Sequence, residues 1–113
     1  MKQFEVVYRQ EDVLSKNVNL KDLLDSHKQI SKYAYILHND EGIVPHYHIY
    51  LRCEKHQVTV NDVAKWLDID SGFVHIVKSH LSNVLKYFLQ ELPTQKRKYS
   101  VNELITNINP FPI

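Results

Sequence analysis

The sequence is poor in the residues that break or staple a chain. It holds only 2 glycines and 4 prolines in 113 residues, so most of it is expected in helices and strands. A single cysteine, Cys53, excludes an internal disulfide and points to a reducing, cytoplasmic setting. The N-terminus from Met1 to Tyr8 has no basic stretch followed by an apolar run, so no signal peptide is expected. No apolar run approaches the roughly 20 residues of a membrane span, so no membrane partner is expected either. Charge of one sign is also scarce: the formal net charge is +1, without the basic excess of proteins that coat nucleic acid. No repeat, linker or low-complexity tract is visible, and the length fits one domain over residues 1–113.

What the chain has in quantity is histidine and tyrosine, 7 of each. Both types do chemistry and both pack well, so position decides. Phe4 to Tyr8 (FEVVY) is β-branched and aromatic and reads as a strand. Leu20, Leu23, Leu24 and His27 fall at helical spacing over Asn19 to Ile30, with Asn19 as the N-cap. Tyr33 to His38 (YAYILH) reads as a second strand and Asn39-Asp40-Glu41-Gly42 as a turn. His46 to Cys53 (HYHIYLRC), behind Pro45, returns as the other half of a hairpin. A helix over Asn61 to Leu67 and a strand over Phe73 to Val77 follow. A further helix runs from Ser79 towards Pro93, with Leu81, Val84, Leu85, Phe88 and Leu89 on one face. Beyond a polar, basic stretch, Thr94 to Tyr99, a short helix is expected over Val101 to Ile108. The order β-α-β-β-α-β-α predicts an α+β fold: a ferredoxin-like antiparallel sheet with helices packed on it and one helix added. That scaffold serves many functions, so the site must carry the argument.

Side chains alternate across a strand. His46, His48, Tyr50 and Arg52 therefore share one face of the third strand, and Tyr47, Ile49, Leu51 and Cys53 the other. The second set reads as core, the first as two imidazoles side by side on a polar surface. Imidazoles at i and i+2 reach one cation, although two surface histidines on a half-exposed strand give the same spacing. His38 closes the preceding strand, and Asp40 and Glu41 follow it. Strand pairing would bring His38 and a carboxylate up to His46 and His48. Mixed N/O ligation suits manganese, with magnesium, zinc or others open. The group lacks the cysteines of structural zinc. Tyr87 lies at the margin of its helix's apolar face, among Asn83, Lys86, Gln90 and Glu91. A tyrosine so placed is usually a packing residue, but a phenol there can point to the sheet face that carries the imidazoles. Lys78 or Lys86 could then hold a phosphate.

These motifs, in this order, resemble the HUH-endonuclease superfamily, and within it the rolling-circle replication initiators of small Gram-positive plasmids. The resemblance covers nearly the whole chain. It rests on the His38-Asn39-Asp40-Glu41 turn, the Pro45-His46-Tyr47-His48 strand, Tyr87-Phe88-Leu89-Gln90, and the end region Lys96 to Glu103. It implies that His38, His46 and His48 are metal ligands and Tyr87 the nucleophile. Glu41 stands where the family has an aspartate ligand, with Asp40 one residue away as the alternative. Gln90 replaces a family histidine, and no second tyrosine lies one turn from Tyr87, which is similar to the single-tyrosine class.

The implied activity is Mn²⁺- or Mg²⁺-dependent, site- and strand-specific nicking and joining through a 5′-phosphotyrosine. Its DNA partner would be a plasmid origin, single-stranded or presented as a hairpin or supercoil. Oligomers would form through a region absent from this chain. Arg52, Lys55, Lys78, Lys86, Lys96, Arg97 and Lys98 are candidates to hold the backbone. Glu91 is a candidate to activate a water or second hydroxyl in termination, and Tyr99 is the second candidate nucleophile. Two alternatives remain: a single-tyrosine transposase of the same superfamily, and a non-catalytic ferredoxin-like module that stacks bases on Tyr47, Tyr50 and Phe73.

Overall fold

The computed structural model describes residues 1–90 and 98–109. The expected helix end at Pro93, and Glu91, Lys96 and Arg97, lie outside the described residues. Strands β1 (Lys2–Arg9), β2 (Ile30–His38), β3 (His46–Cys53), β4 (Val74–Val77) and β5 (Ile105–Thr106) form one sheet in the order β4-β1-β3-β2-β5. All its pairs are antiparallel. The first four strands are in the ferredoxin-like arrangement, and β5 is added at the β2 edge. The fold is therefore the expected α+β one. Strand β3 has the bounds its alternation predicts.

Among the described residues there are four α-helices: α1 (Gln10–Ser15), α2 (Leu20–Ser26), α3 (Val60–Leu67) and α4 (Leu81–Phe88). Helix α2 starts as predicted, with the Asn19 side chain accepting the Asp22 N–H at 3.1 Å, but ends at Ser26 rather than Ile30. Ile30 is instead the first residue of β2 and packs in the core. Thr59 and Asp62 cap α3 reciprocally. Helix α1 was not foreseen, because its six residues bury only Val13 and leave no apolar period to read. Among the described residues no helix is long and apolar enough to cross a membrane.

The helix expected over Val101 to Ile108 is absent. Residues Val101–Glu103 make one 3-10 turn, capped by Ser100 and Glu103, and β5 follows. Tertiary pairing overrides helical propensity here: Asn107 Oδ1 accepts the Tyr33 N–H at 2.7 Å, and the Thr106 hydroxyl donates to the Tyr33 carbonyl at 2.7 Å.

Both sheet faces carry a core, the second over only part of its face, against the expectation that His46, His48, Tyr50 and Arg52 line a polar surface. One core, with Phe4, Val6, Ile49, Leu51, Val63 and Leu67, lies between the sheet and the first three helices. A second forms where α4 and Tyr99–Leu104 pack on Ala34, Ile36 and Tyr50. Helix α4 contributes Val84, Leu85 and Phe88, and Leu89 follows at its end; each stabilises by roughly 1.5–3 kcal/mol when fully buried. Tyr50 is completely buried, so it cannot serve as a base-stacking residue, and Tyr47 lies on the opposite face, edge-on to Tyr35.

Candidate metal centre

Register puts the three candidate imidazoles together. His38 on β2 is the direct partner of His46 on β3, and His48 lies two residues further along the same strand. All three therefore share one sheet face, at the end where the β2–β3 hairpin turns. Their ring centroids are 4.3 to 5.7 Å apart, and one ligand atom from each lies within 4.8 Å of the others. His38 and His48 are buried and His46 is half-buried.

Each ring is held by an acceptor at one nitrogen. His46 Nδ1 donates to the Val44 carbonyl at 2.8 Å, His48 Nδ1 to Glu5 Oε1 at 3.2 Å, and His38 Nε2 to the Phe88 carbonyl at 2.5 Å. A carbonyl or an ionised carboxylate can only accept, so these contacts assign the tautomers and leave the other nitrogen of each ring as a lone-pair donor. His46 Nε2 and His48 Nε2 then face each other at 3.0 Å. Two neutral lone pairs at that distance repel, and a shared cation or proton removes the repulsion. Burial pushes the His38 imidazole below its ordinary pKa, and the nearby His48 and His46 rings act in the same direction, so it is neutral at pH 7, the form that ligates. The group can hold a metal ion.

Glu5 is the residue that sequence reasoning missed. It sits in the FEVVY run as one polar residue among apolar ones, and only the β1–β3 register brings it to the Nδ1 side of His48. A carboxylate behind a ligating histidine orients the ring and raises its basicity. The turn carboxylates fall differently from expectation. Asp40 accepts from the Gln90 amide at 2.9 Å and from the Tyr99 hydroxyl. Glu41 is exposed and stands outside the histidine group.

Tyr87 is brought beside the centre. Its ring meets His48 edge-on, centroids 5.6 Å apart, and is 42% exposed. It shares a recess of about 350 Å³ with Glu5, Lys78 and Asn83. Of the candidate basic residues, Lys78 therefore joins the tyrosine. Lys55 lies in a different recess, with Trp66 and Asp62. Tyr99, the other tyrosine singled out, is buried, stacked on His38 at 4.8 Å, and its hydroxyl is engaged by Asp40 and the Asn39 N–H. Gln90, placed at the helix margin by periodicity, is buried in a left-handed conformation (φ 55°) just past the end of α4. Comparison of the chain with protein-family models, curated proteins and solved structures returns no match.

Proposed function

We propose that the chain is a metal-dependent DNA nicking and joining domain, of the kind that starts rolling-circle replication of small plasmids, with Tyr87 as its nucleophile. The observation that carries this reading is an exposed phenol set edge-on to His48, one of three converging imidazoles that each keep one ring nitrogen for ligation. His38, His46 and His48 would hold the ion, and Glu41, exposed and outside the histidine group, would add an oxygen ligand once the turn brings it inward. A bound Mn²⁺ or Mg²⁺ supplies Lewis-acid polarisation of the scissile phosphate.

The residues of the chain do the rest. The Tyr87 oxygen attacks phosphorus and gives up its phenolic proton. The bond from phosphorus to the 3′-oxygen breaks, and that oxygen takes up a proton and leaves as a free 3′-hydroxyl. The 5′-phosphate stays on Tyr87 as an ester, and attack by a 3′-hydroxyl reverses the step and rejoins the strand. Lys78, in the same recess, is placed to neutralise a phosphate oxygen. Glu5 keeps the His48 ring in its ligating tautomer.

Labelled single-stranded oligonucleotides and supercoiled plasmid, incubated with Mn²⁺ or EDTA and run on a denaturing gel, test this. The expected result is a covalent protein–DNA adduct that requires metal, disappears in Tyr87→Phe, and needs more Mn²⁺ in Glu41→Ala. An adduct persisting in Tyr87→Phe moves the nucleophile elsewhere, and no adduct with any substrate rejects the reading. An unchanged Mn²⁺ requirement in Glu41→Ala removes Glu41 from the ligand set.

A further inference from the structure

The sheet face that carries the metal centre is covered on one half only. Helix α4 and the 98–109 segment pack on β2 and β3, while Arg9 on β1 and His75 on β4 are exposed and Val7 and Glu5 on β1 are half-exposed. Recesses open at both ends of this strip. The one at the Glu5 end holds Tyr87. The one at the Arg9 end, about 200 Å³, is lined by Val7, Arg9, Val44, His46 and Phe73. His46 belongs both to this recess and to the histidine group, so the two are continuous.

The Arg9 recess has the chemistry of a base-stacking site. Phe73 (38% exposed) and Val44 (60% exposed) present large apolar surfaces to water. The Arg9 guanidinium lies over the Phe73 ring, 5.9 Å from its centroid. The ion pair of Arg9 with Glu11, 3.5 Å long and more than half exposed at both ends, is weak and yields readily to a phosphate. The recess is open, and Val7, Arg9 and Phe73 also line an adjoining recess of about 390 Å³, so a flat ring can enter edge-first with its sugar outside.

We propose that this recess is a subsite for one unpaired base of single-stranded DNA, stacked on Phe73, with Arg9 on its phosphate. Arg9 and His46 are direct partners across β1 and β3, so the base belongs to a nucleotide at or next to the scissile phosphate. The subsite rests on the nicking reading for its substrate. It also gives a physical reason for acting on melted DNA: a paired base has its faces occupied by its neighbours and cannot enter.

The test separates the two claims. Binding of fluorescein-labelled, mixed-sequence single-stranded DNA is followed by anisotropy in EDTA, with the same strand as duplex for comparison. Phe73→Ala is expected to weaken single-strand binding roughly five- to hundredfold. Phe73→Tyr should bind as the parent does, and Phe73→Leu, which keeps the apolar contact but lacks the π-face, should behave like Phe73→Ala. A 2-aminopurine in the strand should be quenched by the parent and by Phe73→Tyr but not by Phe73→Ala. Single-strand binding by Phe73→Ala and Arg9→Ala within twofold of the parent, or a parent that binds no single strand, overturns the subsite. Adduct formation by Tyr87 answers the nicking question independently: an adduct unaffected by Phe73→Ala keeps the enzyme without the subsite, and Phe73-dependent binding without an adduct keeps the subsite without the enzyme.

Discussion

His48 is gripped from both sides of its ring. Glu5 accepts a hydrogen bond from its Nδ1–H at 3.2 Å, and its Nε2 faces His46 at 3.0 Å. The carboxylate thereby sets the tautomer and strengthens the ring as a donor, an effect of roughly 10- to 100-fold in metal affinity where such partners are removed. Glu5→Ala should weaken Mn²⁺ binding by about that factor, measured by isothermal titration, with little change in the fold because Glu5 is half-exposed. Glu5→Gln, which retains an acceptor oxygen but no charge, should fall between the two. Equal affinities in all three proteins would mean that Glu5 does not tune the centre.

Helix α4 is short, and its attachment to the rest of the molecule decides where Tyr87 stands. Three buried apolar side chains, with Leu89 just past its end, fix its face, the Phe88 carbonyl accepts a hydrogen bond from the His38 ring, and Gln90, in the left-handed region, reaches Asp40. A left-handed non-glycine residue costs of order 1 kcal/mol and persists only where its surroundings hold it, as the Asp40 contact does here. Tyr99 ties the 98–109 segment to the same point through Asp40 and Asn39. Tyr99→Phe keeps the ring on His38 but deletes a hydrogen bond to a carboxylate. It should cost about 1.5–3 kcal/mol in urea unfolding while leaving Mn²⁺ affinity within a few-fold. A stability loss below about 0.5 kcal/mol would show that this tether contributes little beyond the stacked ring.

At the scale of the molecule, two cores on opposite faces of one sheet bury Tyr8, Tyr33, Tyr35, Tyr50 and Tyr99. Burial pushes the Tyr8, Tyr33, Tyr35 and Tyr50 hydroxyls above their ordinary pKa, and the Cys53 thiol up to about 11. Each raised group keeps its proton in the folded state at a pH where the unfolded chain has lost it. Their stabilisation is therefore complete below the unfolded values, about 8.5 for cysteine and 10 for tyrosine, and is lost as pH rises through the folded ones. Urea midpoints should fall steeply between about pH 9 and pH 11, and Cys53→Ala should remove the earliest part of that fall. A midpoint flat across this range would contradict the buried phenols.

How much was legible in advance follows from how local each signal is. Period-two alternation over HYHIYLRC was enough to place His46 and His48 on one face, and the turn residues after His38 were enough to propose the hairpin. The α4 apolar pattern likewise marked Tyr87 as marginal to a packed face. These properties depend on neighbours a few residues away, and the sequence by itself determined them. Glu5 behind His48, Tyr99 stacked on His38 and the β5 pairing in place of a helix depend on partners 43 to 74 residues distant, and the core that buries Tyr50 depends on α4 and the segment beyond it. Register and packing between remote segments leave no periodic trace in a single chain. Only the tertiary structure decided them, because a strand's neighbour is chosen by the burial energy of the whole sheet rather than by the strand's own residues.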